Sequence, residues 1–350
     1  MEKRVKKVKR LKKKFLAFCL FVFTFIGGWL VDKMIDKLIG EPVEDALEYA
    51  FDKSDIMLKS SYDTMKNYLA KNTFNEVRTK AQNGDSEAQF TLGVMYYFGN
   101  GVDKNYEKAI EWWRKAAEQG DTESQNNLGM MYYVGNGVKQ DYKEALKWYS
   151  KAAEQGYYLA QYNLGRMYDE GKGVKQDYKE ALEWYRKAAE QGYDGAQNNL
   201  GGMYINGQGV KQDYKEALEW YRRAAEQGYD VAQFNLGMMY DKGDGIKQDY
   251  SEAIKWYRRA AEQGYVVAQF NLGLKYLKGE GVEQNYKEAV KWWLRAAVQD
   301  NAAAQYNLGI LYYNGYGIRQ DKNEAIRWWR KAAEHGYINA QNRLKMLNKN

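Results

Sequence analysis

Three residue types that usually break helices or carry chemistry are almost absent. Among 350 residues there is one proline (Pro42), one cysteine (Cys19) and one histidine (His335). A single cysteine excludes a disulfide framework within the chain. A single histidine leaves His-based metal sites and Ser/His/Asp triads without their parts. One proline leaves long stretches free to be helical. Excess charge is also scarce outside one terminus. The net charge is +7, but residues 1–14, MEKRVKKVKRLKKK, hold nine Lys/Arg and one Glu, so the remainder sums to −1. That balance argues against a nucleic-acid groove on the body. No GxxxxGK[ST] phosphate loop occurs, and no S-x-x-K, S-D-N or K-T-G. No cofactor site is expected.

After the basic run comes FLAFCLFVFTFIGGWLV, residues 15–31, seventeen positions without a charge. That is at the lower limit of about 17 for a membrane-spanning helix and longer than a usual signal-peptide core. The positive-inside rule then places residues 1–14 in the cytoplasm. The expectation is an uncleaved signal anchor. Residues 1–14 form a basic cytoplasmic tail and 15–31 a transmembrane helix. The body lies outside the cytoplasmic membrane, in the periplasm if the source is bacterial. Residues 32–87 are expected to be a membrane-proximal helical region. Within it, 43–71 reads as a helix that packs on the body or mediates self-association.

Glycine, by contrast, is plentiful, with 33 residues, and it recurs at fixed places. The octapeptide KQDYKEAL stands at 139–146, 175–182 and 211–218, always thirty-six residues apart. From Ala88 the whole chain repeats at this period, giving seven units over 88–339 and a capping partial unit at 340–350. Residues 74–87 resemble a worn second half. A period in this range without strand alternation marks a helical solenoid.

Each unit divides in two. In its first half, residues such as Ala196, Leu200, Met203 and Tyr204 fall at helical offsets on one face. A Gly-x-Gly turn follows, as at Gly207 and Gly209. The second half, with Tyr214, Ala217, Leu218, Trp220, Tyr221, Ala224 and Ala225, is again helical and ends at Gly228. KQDYKEAL is read as the start of the second helix, with Asp141, Asp177 and Asp213 as its caps. The column Trp112, Trp148, Trp184, Trp220, Trp256, Trp292 and Trp328 is expected to be core. The adjacent column of Trp113, Tyr149, Tyr185, Tyr221, Tyr257, Trp293 and Trp329 has more room to be partly exposed.

The pattern AQ-x-NLG-x-MY-x-x-G-x-GV-x-QDY-x-EA-x-x-W-x-x-x-AAEQG resembles the Sel-1-like repeat, a tetratricopeptide-related α/α unit. The resemblance covers about three-quarters of the chain. It implies an all-α, right-handed α/α superhelical solenoid, here preceded by the transmembrane helix. It also implies a scaffold or adaptor role in protein complexes, without enzymatic activity. Some relatives carry a β-lactamase label, but the cysteines and motifs of that chemistry are missing here. Three departures, Lys275 for Met, Asp300 for Gly and Lys322 for Tyr, are expected to bend or loosen the array near its sixth and seventh units.

Positions that vary among copies while exposed are the candidates for recognition. On the first helix these include Tyr133, Tyr162, Arg166, Asp169, Met238 and Asp241. Beside them runs an Asn column: Asn127, Asn163, Asn199, Asn235, Asn271 and Asn307. Asn offers both a donor and an acceptor to an extended peptide backbone, or else it ties neighbouring helices together. In a helical-hairpin solenoid one such face lines the concave side. The expected partner is a protein or peptide held there, and not nucleic acid. Binding of a glycan or cell-wall polymer by exposed aromatics is the alternative, and a carboxylate-based hydrolase the least favoured reading.

Overall fold

The computed structural model describes residues 73–347. The basic tail, the 15–31 segment and the 43–71 helix expected from the sequence lie outside these residues. The single-pass membrane placement does not stand. Among the described residues no helix is long and apolar enough to cross a membrane. Helices of 13 residues, such as Tyr214–Glu226, reach about 20 Å at 1.5 Å per residue, against a hydrocarbon core of about 30 Å. The fold that remains is an all-helical repeat solenoid, with no strand among the described residues.

Helix α1 covers 73–82. Two kinds of helix then alternate. The A helices are α2 (Ser86–Phe98), α4 (Thr122–Val134), α6 (Tyr158–Glu170), α8 (Asp194–Asn206), α10 (Asp230–Lys242), α12 (Val266–Lys278), α14 (Ala302–Asn314) and α16 (Ile338–Leu347). The B helices are α3 (Tyr106–Glu118), α5 (Tyr142–Glu154), α7 (Tyr178–Glu190), α9 (Tyr214–Glu226), α11 (Tyr250–Glu262), α13 (Tyr286–Ala297) and α15 (Lys322–Glu334). The described residues form two compact units, 73–124 with Asn136–Val138, and Gln125–Gly135 with 139–347. In the first, α2 packs on α3, and Phe74 of α1 meets Tyr96 edge-on at 5.7 Å. In the second, the substantial helix contacts all join consecutive helices.

Composition explains the two kinds. The A helices carry apolar and small residues nearly all round, so they must be covered on more than one side. In α8 the buried set includes Ala196, Gln197, Leu200, Gly201, Met203 and Tyr204. The B helices are sharply two-faced. In α9 Ala217, Leu218, Trp220, Tyr221, Ala224 and Ala225 are buried, while Lys215, Glu216, Glu219 and Arg223 face water.

The joints follow local rules. Helix α8 ends where Gly207 takes φ 66° and its amide returns to the Met203 carbonyl. The second glycine of the turn meets a steric limit as well. At Gly173 (φ 74°) a Cβ would lie 2.5 Å from the Tyr142 carbonyl oxygen, so the turn can seat on the preceding B helix only without a side chain. KQDYKEAL is indeed the start of a B helix. Asp177 Oδ1 accepts from the amides of Lys179 (2.9 Å) and Glu180 (3.2 Å), and Glu180 stands in the first turn where its charge suits the helix dipole. The tyrosines of that phrase, Tyr142, Tyr178 and Tyr214, are half-buried and do not reach the core fully.

The adjacent aromatic column, given more room for exposure by the sequence, is the deeper of the two, while the Trp column is core in four of its seven copies. The second column, from Trp113 to Trp329, is the deeper one, 0–7% exposed throughout. Of the first column, Trp112, Trp184 and Trp256 are only half-buried. The cause is the glycine of the NLG triplet. The Tyr221 ring lies so close over Gly201 that a Cβ there would come within 2.8 Å of it, and Trp113 and Tyr185 cover Gly93 and Gly165 in the same way. The aromatics proposed for glycan stacking are therefore interior. In the first column the rings carry a cation one turn further on, as with Lys151 over Trp148 at 4.5 Å and Arg223 over Trp220 at 4.6 Å. The indole N–H groups of Trp148, Trp220, Trp292 and Trp328 are buried without an acceptor among the described residues. Nothing in the structure explains these four.

A buried glutamine in α2, α6, α8, α10 and α12 staples three helix segments. Gln161 Nε2 donates to the Ala153 carbonyl of the preceding B helix at 3.2 Å. Its Oε1 accepts from Gln191, just past the end of its own B helix, at 2.8 Å. Gln125, Gln197, Gln233 and Gln269 receive the same bond from Gln155, Gln227, Gln263 and Gln299. The last copy departs. His335 stands where the others have Gln, and Gln305 Oε1 is buried with no donor. His335 Nε2 lies 3.4 Å from Asp300 Oδ1 instead. Asp300 replaces a glycine and keeps its left-handed backbone, φ 64°, the only such non-glycine among the described residues. The loosening expected near these units is limited to one residue: α13 has 12 residues where the other B helices have 13.

Two predictions follow from these contacts. Gly201→Ala and Gly202→Ala are neighbouring changes on one helix with opposite expected signs. The first drives a methyl into the Tyr221 ring and should destabilise by about 1–3 kcal/mol. The second, with room for a Cβ, should stabilise by about 1 kcal/mol through helix propensity. Urea unfolding of the two variants checks both. The pair Asp300→Gly and His335→Gln should together raise the unfolding free energy by about 1–3 kcal/mol, by relieving the left-handed backbone and giving Gln305 its donor. An unchanged midpoint would show that the glutamine staple contributes little at this end.

Candidate functional site

The variable residues of the A helices lie along one face of the second unit. Met130, Arg166, Gly202, Met238, Leu274 and Ile310 form one column and Tyr133, Asp169, Ile205, Asp241, Leu277 and Tyr313 another. All twelve are half-exposed. The Leu column beside them, Leu128 to Leu308, is buried throughout.

The Asn column is used unevenly. Asn163 Nδ2 donates to Asn126 Oδ1 at 3.0 Å, and Asn235 Nδ2 to Asn198 Oδ1 at 2.9 Å. Both bonds tie one A helix to the previous one. They occur where the preceding repeat also supplies an Asn, and Tyr162 or Phe234 at that place interrupts the series. Asn199 Oδ1 faces Asn198 Nδ2 at 3.4 Å, and its side chain also bonds Tyr185. Asn271 turns back to the Val267 carbonyl of its own helix at 2.8 Å. Asn127 and Asn307 are half-buried on the same face.

Two charged clusters hold most of the other candidates. In the first, Glu170 accepts from Arg166 Nη2 (2.8 Å) and Tyr133 Oη (2.8 Å) and pairs with Lys172 Nζ (2.7 Å). Burial alone would raise the Glu170 carboxyl, but these three hydrogen bonds overcome it and hold the group at about 2. Asp169, one residue away, accepts from Tyr185 Oη at 3.3 Å. Burial raises its carboxyl, with the Tyr185 bond acting against that shift. The Tyr162 ring is tilted against Tyr185 at 5.7 Å and meets Tyr193 edge-on at 4.9 Å.

In the second cluster Asp241 accepts from Tyr257 Oη at 3.1 Å and from Lys275 Nζ. Lys275 also bonds Glu280 Oε2 at 2.8 Å. This lysine occupies the place of a core methionine and is only 7% exposed. Burial disfavours its charge, but the bonds to Asp241 and Glu280 outweigh it and raise its pKa. The departure at 275 is therefore a paired buried cation and not a break in the packing. Met238 packs at the edge of the apolar cluster around Tyr257. The sequence reading missed Lys275 as a partner of Asp241, and Tyr185 and Tyr257 as partners of the two aspartates. The signal was present as a Tyr sixteen residues after each Asp. Among the described residues no group of three His, Cys, Asp or Glu side chains is placed to hold a metal.

Comparison with known proteins supports this architecture. The Sel1 repeat model matches residues 86–121, 122–157, 159–193, 195–229, 230–265, 266–301 and 302–337. No curated protein matches the chain. Among solved structures, a protective antigen of uropathogenic Escherichia coli strains with an SLR fold is 41% identical, with a TM-score of 0.74 over 78% of this chain. The chain spans 59% of that antigen's length. A Sel1 repeat protein from Oxalobacter formigenes is 33% identical with a TM-score of 0.68, covering 94% of this chain and 93% of that one. Sel1 repeat proteins are generally protein-interaction scaffolds and typically not enzymes. With seven consecutive repeats matched over most of its length, the chain belongs to the Sel1 repeat family.

Proposed function

We propose that this chain is a non-enzymatic scaffold that holds a protein or peptide partner along the A-helix face of its second unit. The observation that carries the reading is the division of each A helix. In the second unit the repeated Ala, Gln, Leu and Gly columns are buried, while the columns through 130 and 133, which differ from copy to copy, are half-exposed alongside the repeated Asn column. A surface under packing constraint alone has no need of such variety. Asn127, Asn163, Asn199, Asn235, Asn271 and Asn307 supply backbone-like donors and acceptors along the face. Tyr133, Tyr162, Arg166, Asp169, Met238 and Asp241 supply the features that differ from repeat to repeat. The mix of apolar, aromatic, acidic and basic groups suits a peptide better than a polyanion. The carboxylates of this face, Glu170 and Asp241 among them, are engaged in ion pairs or tyrosine hydrogen bonds.

An in-cell crosslinking pull-down tests the proposal. The tagged full chain is compared with a copy carrying Asn163→Ala, Asn199→Ala and Asn235→Ala, after circular dichroism has shown that copy folded. The expected outcome is a protein recovered with the first and lost with the second. Equal recovery by both would move the interface off the A-helix face.

A further inference from the structure

One glycine on the A-helix face is required neither by packing nor by backbone geometry. The column Met130, Arg166, Gly202, Met238, Leu274 and Ile310 carries a long side chain in every copy of the second unit but one. At Gly202 a Cβ would meet only Tyr221 Oη, at 3.6 Å, an ordinary contact. Gly202 sits inside α8, where glycine costs about 1 kcal/mol relative to alanine. Its neighbour Gly201 is different, since the Tyr221 ring demands it. The glycine at 202 therefore leaves a notch in an otherwise filled column.

The floor of the notch is the hydroxyl of a largely buried tyrosine. Tyr221 is 7% exposed, and its ring is fixed over Gly201 with Oη beside Gly202. In the repeats on either side the matching hydroxyls donate to aspartates, Tyr185 to Asp169 and Tyr257 to Asp241. Here the aspartate is replaced by Ile205, and no group among the described residues accepts from Tyr221. Burial pushes this hydroxyl up to about 12, so it remains a donor at neutral pH. With no aspartate beside it, the hydroxyl is free to donate to a ligand oxygen placed over Gly202. The rim is polar and neutral on its own helix, with Asn198 and Asn199 one turn before Gly202. Asp169 stands in the neighbouring column of the copy before, and Arg166 in the notch's own column there is held by Glu170, which disfavours a carboxylate in the notch.

We propose that Gly202 and Tyr221 form a specificity notch on the A-helix face, which receives an Asn or Gln side chain from an extended peptide segment of the partner. The carboxamide oxygen accepts from Tyr221 Oη, and its NH2 group has the side-chain oxygens of Asn198 and Asn199 within the rim. The proposal rests on the peptide-holding reading of this face and adds the chemistry of one position in the ligand.

A display library of random dodecapeptides, selected in parallel on the full chain and three variants, tests it. Gly202→Met fills the notch with the residue carried at 130 and 238, and its thermal midpoint should equal or exceed that of the parent. Tyr221→Phe removes only the hydroxyl. The third variant carries the three Asn→Ala changes at 163, 199 and 235. The expected result is a set of peptides sharing one Asn or Gln, enriched on the parent and weakened about tenfold or more on Gly202→Met. On Tyr221→Phe, peptides should still be selected, without the Asn/Gln preference. Peptides bound equally by the parent and Gly202→Met, but lost on the Asn variant, would overturn the notch and leave the face reading standing. No peptide selected by the parent over any variant would overturn both.

Discussion

The contact on which the rest depends is an aromatic ring laid directly on a helix glycine. Tyr221 over Gly201, and its equivalents in the other repeats, set how closely the A and B helices of a hairpin approach. Ring and helix backbone meet with no intervening Cβ, so the A helix lies deep against its partner. The second aromatic column thereby becomes interior and the Trp column is turned toward the edge of the core. The contact also directs the phenolic hydroxyls onto the A-helix face. There they meet Asp169 and Asp241 in two repeats and a vacant glycine in the repeat between them.

The glutamine staple works between repeats. Packing of rings on glycines joins two helices within one repeat, whereas Gln161 and its counterparts also bond the preceding B helix. A buried amide with both ends satisfied contributes modestly by itself, about 1 kcal/mol. Repeated from copy to copy, it also specifies register, because a slip would leave every amide unpaired. The copy that lacks the second bond, with His335 and Asp300, leaves the Gln305 oxygen unsatisfied beside a left-handed aspartate.

Departures from the repeat carry the individuality of this chain. Lys275 is a buried cation in a methionine's place, held by Asp241 and Glu280. Removing one partner from such a group is costly, so the three residues stand or fall together. The cluster around Glu170 is more exposed and engages Arg166 and Tyr133, two of the residues offered for partner contact. A ligand on the proposed face would therefore compete with these ion pairs for the same side chains.

The sequence by itself determined the helices, their joints and their order. Asp177 as a cap, Gly207 as a left-handed stop and the buried Leu column are local or periodic features, readable at a spacing of four or thirty-six residues. Tertiary structure decided what depends on the rotation of one helix against another. Trp220 and Tyr221 are adjacent, about 100° apart around the helix, and both are plausible core residues until the position of Gly201 is known. The pairing of Asn235 with Asn198, of Tyr257 with Asp241 and of Gln191 with Gln161 joins residues 37, 16 and 30 apart. Such spacings match no single-helix period, so the side chains meet only after the helices have packed.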